Sequence, residues 1–342
     1  MLKEKTKNRL SFFGLLFIGI AWGFGYIGVQ FAVNNQWSSL AIMVFKGLIG
    51  GGICLAFSFK EKWWKDKALI KGAIICGVFT FLGYLFQTEG QKITTVSSCA
   101  FFTATNVVYV PIIAFIFFKK KITPRFLIAA FIALVGTAIL NYDGTSYQFG
   151  LGEVYNLLGA ICFAIQIAYM GTLAQHNKPF GCAGVQLFVM GIIAICVVPF
   201  VKVNHFGNGS LEGWLGIIYV TLISSALAYV IQGFAEKYVD ETISGILLSQ
   251  ESVFGTIFSV LILKEVLTTY RIIGGAIVVF SVLLCSIDIK SIYLKLKNKK
   301  KEKNQLVLEN NNIRNQNNKE DWKLKDSFFY GLENFSIVCH YF

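Results

Sequence analysis

The sequence predicts an all-α integral membrane protein of ten transmembrane helices, built as two inverted five-helix repeats with both termini in the cytoplasm. Three observations lead there. The 342 residues are 55% hydrophobic and only 15% charged, with a mean hydropathy of +0.60. Soluble domains carry about 25% charged residues, so this chain has too little charge to cover a water-facing surface. Its apolar residues gather into ten runs of bilayer length, about 20 residues each. The order of uncommon residues also recurs at a constant offset along the chain.

The runs are Ser11–Val33, Leu40–Phe59, Leu69–Thr88, Thr95–Phe118, Thr123–Tyr142, Leu151–Leu173, Gly181–Val201, Gly213–Gly233, Thr242–Leu263 and Leu267–Ile287. The first is too long for the apolar core of a signal peptide and many spans follow it, so it reads as a span. Lysine and arginine fix the orientation. With the N-terminus inside, the outer loops hold only Lys92, Lys202, Lys264 and Arg271, whereas fifteen basic residues lie on the inner side before the tail. An even number of spans returns the C-terminus to the cytoplasm. The net charge of +12 is therefore a topology signal and not a nucleic-acid footprint.

Four segments follow: residues 1–10 as a cytoplasmic lead, 11–142 and 151–287 as the two repeats, and 288–342 as a basic, Asn-rich tail expected to be disordered. The cluster Lys290–Lys303 suits anionic lipid headgroups. Eight cysteines include no Cys-x-x-Cys pair and seven lie inside apolar runs, where a thiol acts as a small hydrophobe. Three scattered histidines give no metal set, and no cofactor is expected.

The offset is 145 residues. It aligns Tyr84 with Tyr229, Gln87 with Gln232, Lys92 with Lys237, Ser97 with Thr242, Lys119 with Lys264 and Thr123 with Thr268. The unit holds five spans. Because five is odd, the second copy starts on the opposite side of the bilayer, which inverts it relative to the first. Inverted repeats are a common construction of secondary transporters.

Polar side chains inside the spans mark the candidate site. An ionisable group at bilayer depth costs at least about 2.5–3.5 kcal/mol and faces a cavity or a partner. Lys46 sits about 9 Å into the second span at 1.5 Å rise per residue. It either snorkels to the headgroups or faces a cavity or an ion partner. Glu251 lies near the middle of the ninth span, beyond the reach of snorkelling, as a neutral acid or as the partner of Lys46. Asn106 aligns with Glu251 at the same offset. Trp22, Tyr26 and Gln30 share one helical face. Tyr84/Gln87, Asn106/Tyr109, Gln166/Tyr169 and Tyr229/Gln232 are i, i+3 pairs, and Gln250 precedes Glu251. Trp37, Trp63, Trp64 and Trp214 fit interfacial belts, as do Tyr84, Tyr229 and Gln232 in part. Pro111 supplies a flexing point. Gly19/Gly23 and Gly47/Gly51 have the spacing of close helix contacts.

Several stretches carry a family likeness: Ala21-Trp22-Gly23, Val44-Phe45-Lys46, Val110-Pro111, the run Leu222 to Tyr229, Gln250-Glu251-Ser252-Val253, Leu263-Lys264-Glu265 and Ile273-Gly274-Gly275-Ala276. In order and spacing, residues 11–287 resemble the drug/metabolite transporter superfamily, specifically its EamA-type ten-span members. They depart from it at Lys46, where the family usually has Arg, at Ser252, where it has Pro, and at Lys120, where it has Glu. The resemblance implies a cell-membrane carrier of small metabolites, often amino acids or their relatives and frequently outward. The substrate-binding set expected for it is Trp22, Tyr26, Lys46, Tyr84, Gln87, Asn106, Tyr109, Gln166, Tyr169, Tyr229, Gln250 and Glu251. The partners are then a small solute and membrane lipids, with no nucleic acid. The alternative is an intramembrane lipid-modifying or prenyl-transfer enzyme, but every Asp lies in a loop, at a span end or beyond, so the paired carboxylates of a phosphate-binding metal site are missing. The chain reads as a carrier and not an enzyme.

Overall fold

The computed structural model describes residues 4–119, 124–140, 142, 149–201 and 206–286. Lys120, the start of the fifth run and the tail with its basic cluster lie outside them. The described chain is almost wholly helical. Its helices are α1 (Glu4–Asn34), α2 (Ser39–Phe57), α3 (Lys67–Gln91), α4 (Val96–Phe118), α5 (Pro124–Leu140), α6 (Leu151–His176), α7 (Pro179–Phe200), α8 (Leu211–Ala235), α9 (Ile243–Leu263) and α10 (Thr269–Ser286). Eight are long and apolar enough to cross a bilayer, while α5 and α10 hold the shorter apolar stretches Leu127–Gly136 and Thr269–Ser281. Each run read from the sequence falls on one of them. Helix α1 starts before its apolar run because Lys5, Lys7 and Arg9 are good helix formers and need no burial.

Burial is distributed as lipid demands and water does not. Phe57, Phe115, Ile116, Phe131 and Leu261 stand exposed around the outside, whereas Lys46, Asn106, Gln166, Gln232 and Glu251 are buried within. Exposed apolar surface on this scale marks contact with a membrane.

Close approach of the helices rests on glycine. A Cβ on Gly47 would lie 2.4 Å from the backbone of Gly191, so α2 and α7 meet backbone to backbone. A Cβ on Gly23 would lie 2.9 Å from the Gly255 nitrogen, which sets α1 against α9. Such small-residue seams suit association in lipid, where packing replaces the hydrophobic effect.

Helix ends in the loops are closed by carboxylates, the charge that the N-terminal dipole favours. Glu61 accepts the Phe180 and Gly181 N–H groups at 3.2 and 2.7 Å, opening α7. Glu265 accepts Val96 N–H at 2.8 Å and the Ser97 hydroxyl at 2.6 Å, opening α4, with Arg271 at 3.3 Å. Asp66 accepts Leu69 N–H at 3.1 Å and opens α3, while His176 at 2.7 Å and Lys178 at 3.0 Å reach it from the α6–α7 turn.

Two helices are interrupted at equivalent places. In α4 the helix breaks at Thr105, where Thr105 N–H bonds to Phe102 and Val108 N–H to Thr105. In α9 it breaks at Ser249–Gln250, where Gln250 N–H bonds to Leu247 and Val253 N–H to Gln250. Those three residues of α9 are the three of α4 displaced by 145. Hydroxyls of Thr105, Ser249 and Ser252 bond back to carbonyls three residues earlier, a habit that bends helices. Pro111, expected as the flexing point, lies inside the helical segment that follows the break. Three further turns are π-helical among the described residues, Phe45–Gly50 in α2, Leu222–Leu227 in α8 and Ser259–Leu263 in α9.

Gly47→Ala should lower the unfolding temperature in detergent by the equivalent of about 1–3 kcal/mol, the cost of overpacking. Gly52→Ala, where nothing lies within 4 Å, should leave it unchanged. A second expectation concerns acid. The Leu69 N–H, His176 and Lys178 together hold the Asp66 carboxyl well below the ordinary carboxylate range. A depressed carboxyl contributes stability above its unfolded value of about 3.9, and that contribution fades as pH falls towards the folded value. Asp66→Asn should therefore flatten the fall in unfolding temperature below about pH 4; an identical slope in both proteins would contradict it.

Candidate functional site

Helices of both halves line a partly open cavity whose free interior is about 30 Å³, within about 470 Å³ of space between the side chains and the solvent beside them. One stripe of α1, Trp22, Gly25, Tyr26 and Val29, forms a wall. Lys46 enters from α2, Tyr84 and Gln87 from α3, Asn106 from α4, Phe163, Gln166 and Ile167 from α6, Ser224 and Tyr229 from α8, and Glu251 from α9. Asn106 and Glu251 are the first residues after the two helix breaks. Interrupted helices at a central cavity are how carriers bring backbone polarity to a solute.

Each polar contact has a local cause. In the π turn of α8 the Ala228 N–H bonds to Ile223 and Ser225 and skips the carbonyl of Ser224. The Trp22 indole N–H takes that carbonyl at 2.8 Å. Its ring meets Tyr229 at 5.7 Å between centroids, and Tyr84 meets Phe163 edge-on at 5.0 Å. Tyr229 donates to the Tyr84 hydroxyl at 3.3 Å, and these two are repeat mates, 145 residues apart. The Tyr26 hydroxyl accepts from Gln87 at 3.0 Å and lines the same cavity as the Glu251 carboxyl.

Lys46 is 2% exposed. Its ammonium lies over the Tyr84 ring, 3.2 Å from the centroid. It neither snorkels nor pairs with Glu251: among the described residues no ion pair joins the two. Its place in a π turn, beside the Gly47–Gly191 seam, directs the chain inward. The Asn106 Oδ1 is buried in the same cavity without a hydrogen-bond partner among the described residues.

Nine of the twelve residues singled out in the sequence line this space. Three do not. Tyr109 packs among the apolar residues around Ile113 and Ala168. Tyr169 stacks edge-on with Phe118 at 5.0 Å. Gln250 sits at the α9 break and packs beside Gly19 of α1. An i+3 step from a lining residue turns the helix by only about 60° short of a full turn, so a partner drifts off a narrow face. Tyr84, Tyr229 and Gln232, read in part as an interfacial belt, are buried deep in the bundle. Gly25, Val29, Phe163, Ile167 and Ser224 escaped notice; the first two continue the Trp22–Tyr26 stripe, and that periodicity was their signal.

From the cavity two buried polar ladders depart. On one side Gln87 and Tyr26 lead to Gln91, which donates to the Tyr26 carbonyl at 2.8 Å and to Gln30 at 3.1 Å, and Gln30 donates to the exposed Asn34 at 2.8 Å. On the other, Gln166 donates to Gln186 and Gln232 at 3.2 and 3.4 Å, and Gln232 donates to Glu236 at 2.8 Å. Gln87 and Gln91 stand 145 residues before Gln232 and Glu236.

The profile of the EamA-like transporter family matches residues 9–142 and 150–287. A protein of Archaeoglobus fulgidus named as an uncharacterized transporter is 27% identical over 287 residues, covering 84% of this chain and 89% of its own. The biotin transporter of Escherichia coli K12 is 22% identical over 217 residues, 62% of this chain and 71% of that protein. A crystal structure covering 82% of this chain and 98% of its own aligns with a TM-score of 0.65 at 13% identity, a likeness of fold alone.

Trp22→Phe keeps a ring against Tyr229 but deletes the indole donor. The Ser224 carbonyl is then buried and unpaired, and the protein should lose about 1–3 kcal/mol of stability in thermal unfolding. Trp64→Phe, at a 46% exposed side chain, is the neutral control.

Proposed function

This chain belongs to the EamA-like transporter family, and we propose that it is a secondary transporter which carries a small organic solute through the central cavity by alternating access. The two five-span halves rock about a pseudo-two-fold axis in the membrane plane, exposing the cavity first to one side and then to the other. One observation carries this reading: residues of both repeats converge on one polar space, with repeat mates Asn106 and Glu251 at matching helix breaks. The contact between mates Tyr84 and Tyr229 supports an axis passing between them.

The termini face the cytoplasm in this reading, as the excess of basic residues in those loops favours. Transport runs outward, and the solute is an amino acid or a related metabolite, both after the family likeness. The name of the Escherichia coli relative adds biotin as a candidate of similar size. An intramembrane transferase is the alternative, and the names of the relatives speak for transport.

The test is exchange of labelled amino acids and of biotin across proteoliposomes holding the purified protein. Glu251→Gln and Lys46→Ala should each slow the transported solute by about tenfold or more, since a hydrogen bond to a charged group is worth about 1.5–3 kcal/mol. Undiminished transport by both variants would take these residues out of the mechanism.

A further inference from the structure

We propose that the loop between α2 and α3 is a seat for anionic phospholipid headgroups: Lys60, Lys62, Lys65 and Lys67 take the phosphates, while Phe59 and Trp64 enter the acyl boundary beside them. The surface lies apart from the central cavity and goes beyond the transport reading.

The loop has two faces, and the inner one is spent on the protein. Glu61 holds the Phe180 and Gly181 N–H groups at the start of α7, and Asp66 holds the Leu69 N–H together with His176 and Lys178. Trp63 donates its indole N–H to the Ser58 hydroxyl at 2.7 Å and lies so near α7 that a Cβ on Gly181 would fall 2.5 Å from it. Both acids of the segment are therefore turned inward and occupied. On the outer face the four lysines are exposed, and among the described residues none of them forms an ion pair. Phe59 is 70% exposed and Trp64 46%, and Phe57 continues this apolar surface onto the outside of α2.

The second repeat shows what the fold itself requires here. Lys62 turns the loop in the left-handed region at φ 49°, and its mate Gly207 does the same at φ 86°. Glycine adopts that conformation freely, whereas a lysine does not. The offset of 145 pairs Lys65 with Ser210 and Lys67 with Glu212. Lys67 stands in the first turn of α3, where the helix dipole disfavours a cation, while Glu212 brings the favoured charge to the first turn of α8. Neither backbone nor dipole asks for these lysines. A phosphate resting against the start of α3 satisfies lysine and dipole together.

Charge and apolar contact in one patch specify a membrane surface. The potential of an anionic leaflet holds a basic segment, each lysine strengthening the contact about fivefold. Stable attachment takes a second, apolar signal. The lysines supply the first and the two rings the second. A dissolved anion would leave both rings in water.

Trp64 stands inside the patch, so its fluorescence reports this loop and not the basic tail. The full chain in neutral detergent is titrated with phosphatidylglycerol or phosphatidylcholine carrying brominated chains, which quench a nearby indole. The Trp64 signal is the difference between the native protein and Trp64→Phe. Phosphatidylglycerol should half-quench it at a concentration at least about fivefold lower than phosphatidylcholine. Changing all four lysines to Gln should bring the two lipids within about twofold, and changing them to Arg should keep the preference. The pairs Lys60→Gln with Lys62→Gln and Lys65→Gln with Lys67→Gln, gentler on folding, should each lose part of it. Inorganic phosphate should displace no more lipid than chloride at equal ionic strength. The unfolding midpoint without lipid shows that each variant folds. Equal quenching by the two lipids, a preference that survives the loss of the lysines, or specific displacement by inorganic phosphate overturns the proposal. None of these readings involves solute movement, so a failure of transport leaves them standing.

Discussion

In hydrocarbon a peptide group has no water to turn to, so each N–H and C=O must find its partner within the protein. The whole arrangement depends on that constraint. It makes the described residues almost wholly helical and favours irregular backbone where protein or cavity surrounds it. The α4 and α9 breaks and the π turns of α2 and α8 all obey this. Lys46, Asn106, Ser224 and Glu251 lie in or directly after them, and all four line the cavity. Where the π turn skips the Ser224 carbonyl, an indole from another helix replaces the lost donor. At these four places irregularity and site are one feature, whereas the π turn Ser259–Leu263 at the end of α9 lies away from the cavity.

The repeat is written in backbone geometry as well as in letters. Lys119 and Lys264, displaced by 145, both end a helix in the left-handed region, at φ 54° and 59°. Their N–H groups return to Ala114 and Ser259, again displaced by 145. Lys62 and Gly207 share positive φ at the same offset. A non-glycine residue pays for that conformation, so two lysines adopting it at matching positions reflect a common local fold and not composition. A residue that touches its own mate, as Tyr84 touches Tyr229, must lie beside the axis relating the halves.

The positions of the helices were legible because bilayer length and hydropathy act on many residues at once. Lys46 and Glu251 were legible because a charge inside an apolar run has few innocent explanations. What sequence pattern could not carry was direction within a face. Tyr109 and Tyr169 satisfy the same spacing as Gln87 yet pack against apolar neighbours, since i, i+3 fixes a side of the helix and not what that side meets. The relation of Lys46 to Glu251 likewise depended on a π turn, which rotates the helix locally and leaves no signature in composition. Pro111 drew attention as the chemical anomaly of α4, while the break occurred at Thr105, where a hydroxyl competes for a backbone carbonyl.

The two polar ladders show where the two otherwise similar halves differ. Both begin at a glutamine of the repeat, Gln87 or Gln232, and both continue one helical turn on, at residue 91 or 236. The first ladder then stays neutral, amide to amide, out to the exposed Asn34. The second reaches the carboxyl group of Glu236, buried at the end of α8. A single substitution of acid for amide at mated positions, Glu236 for Gln91, makes the two ladders chemically unequal, because a carboxyl can carry a charge that an amide cannot. The amide ladder reaches Asn34, at the end of α1 remote from the N-terminus.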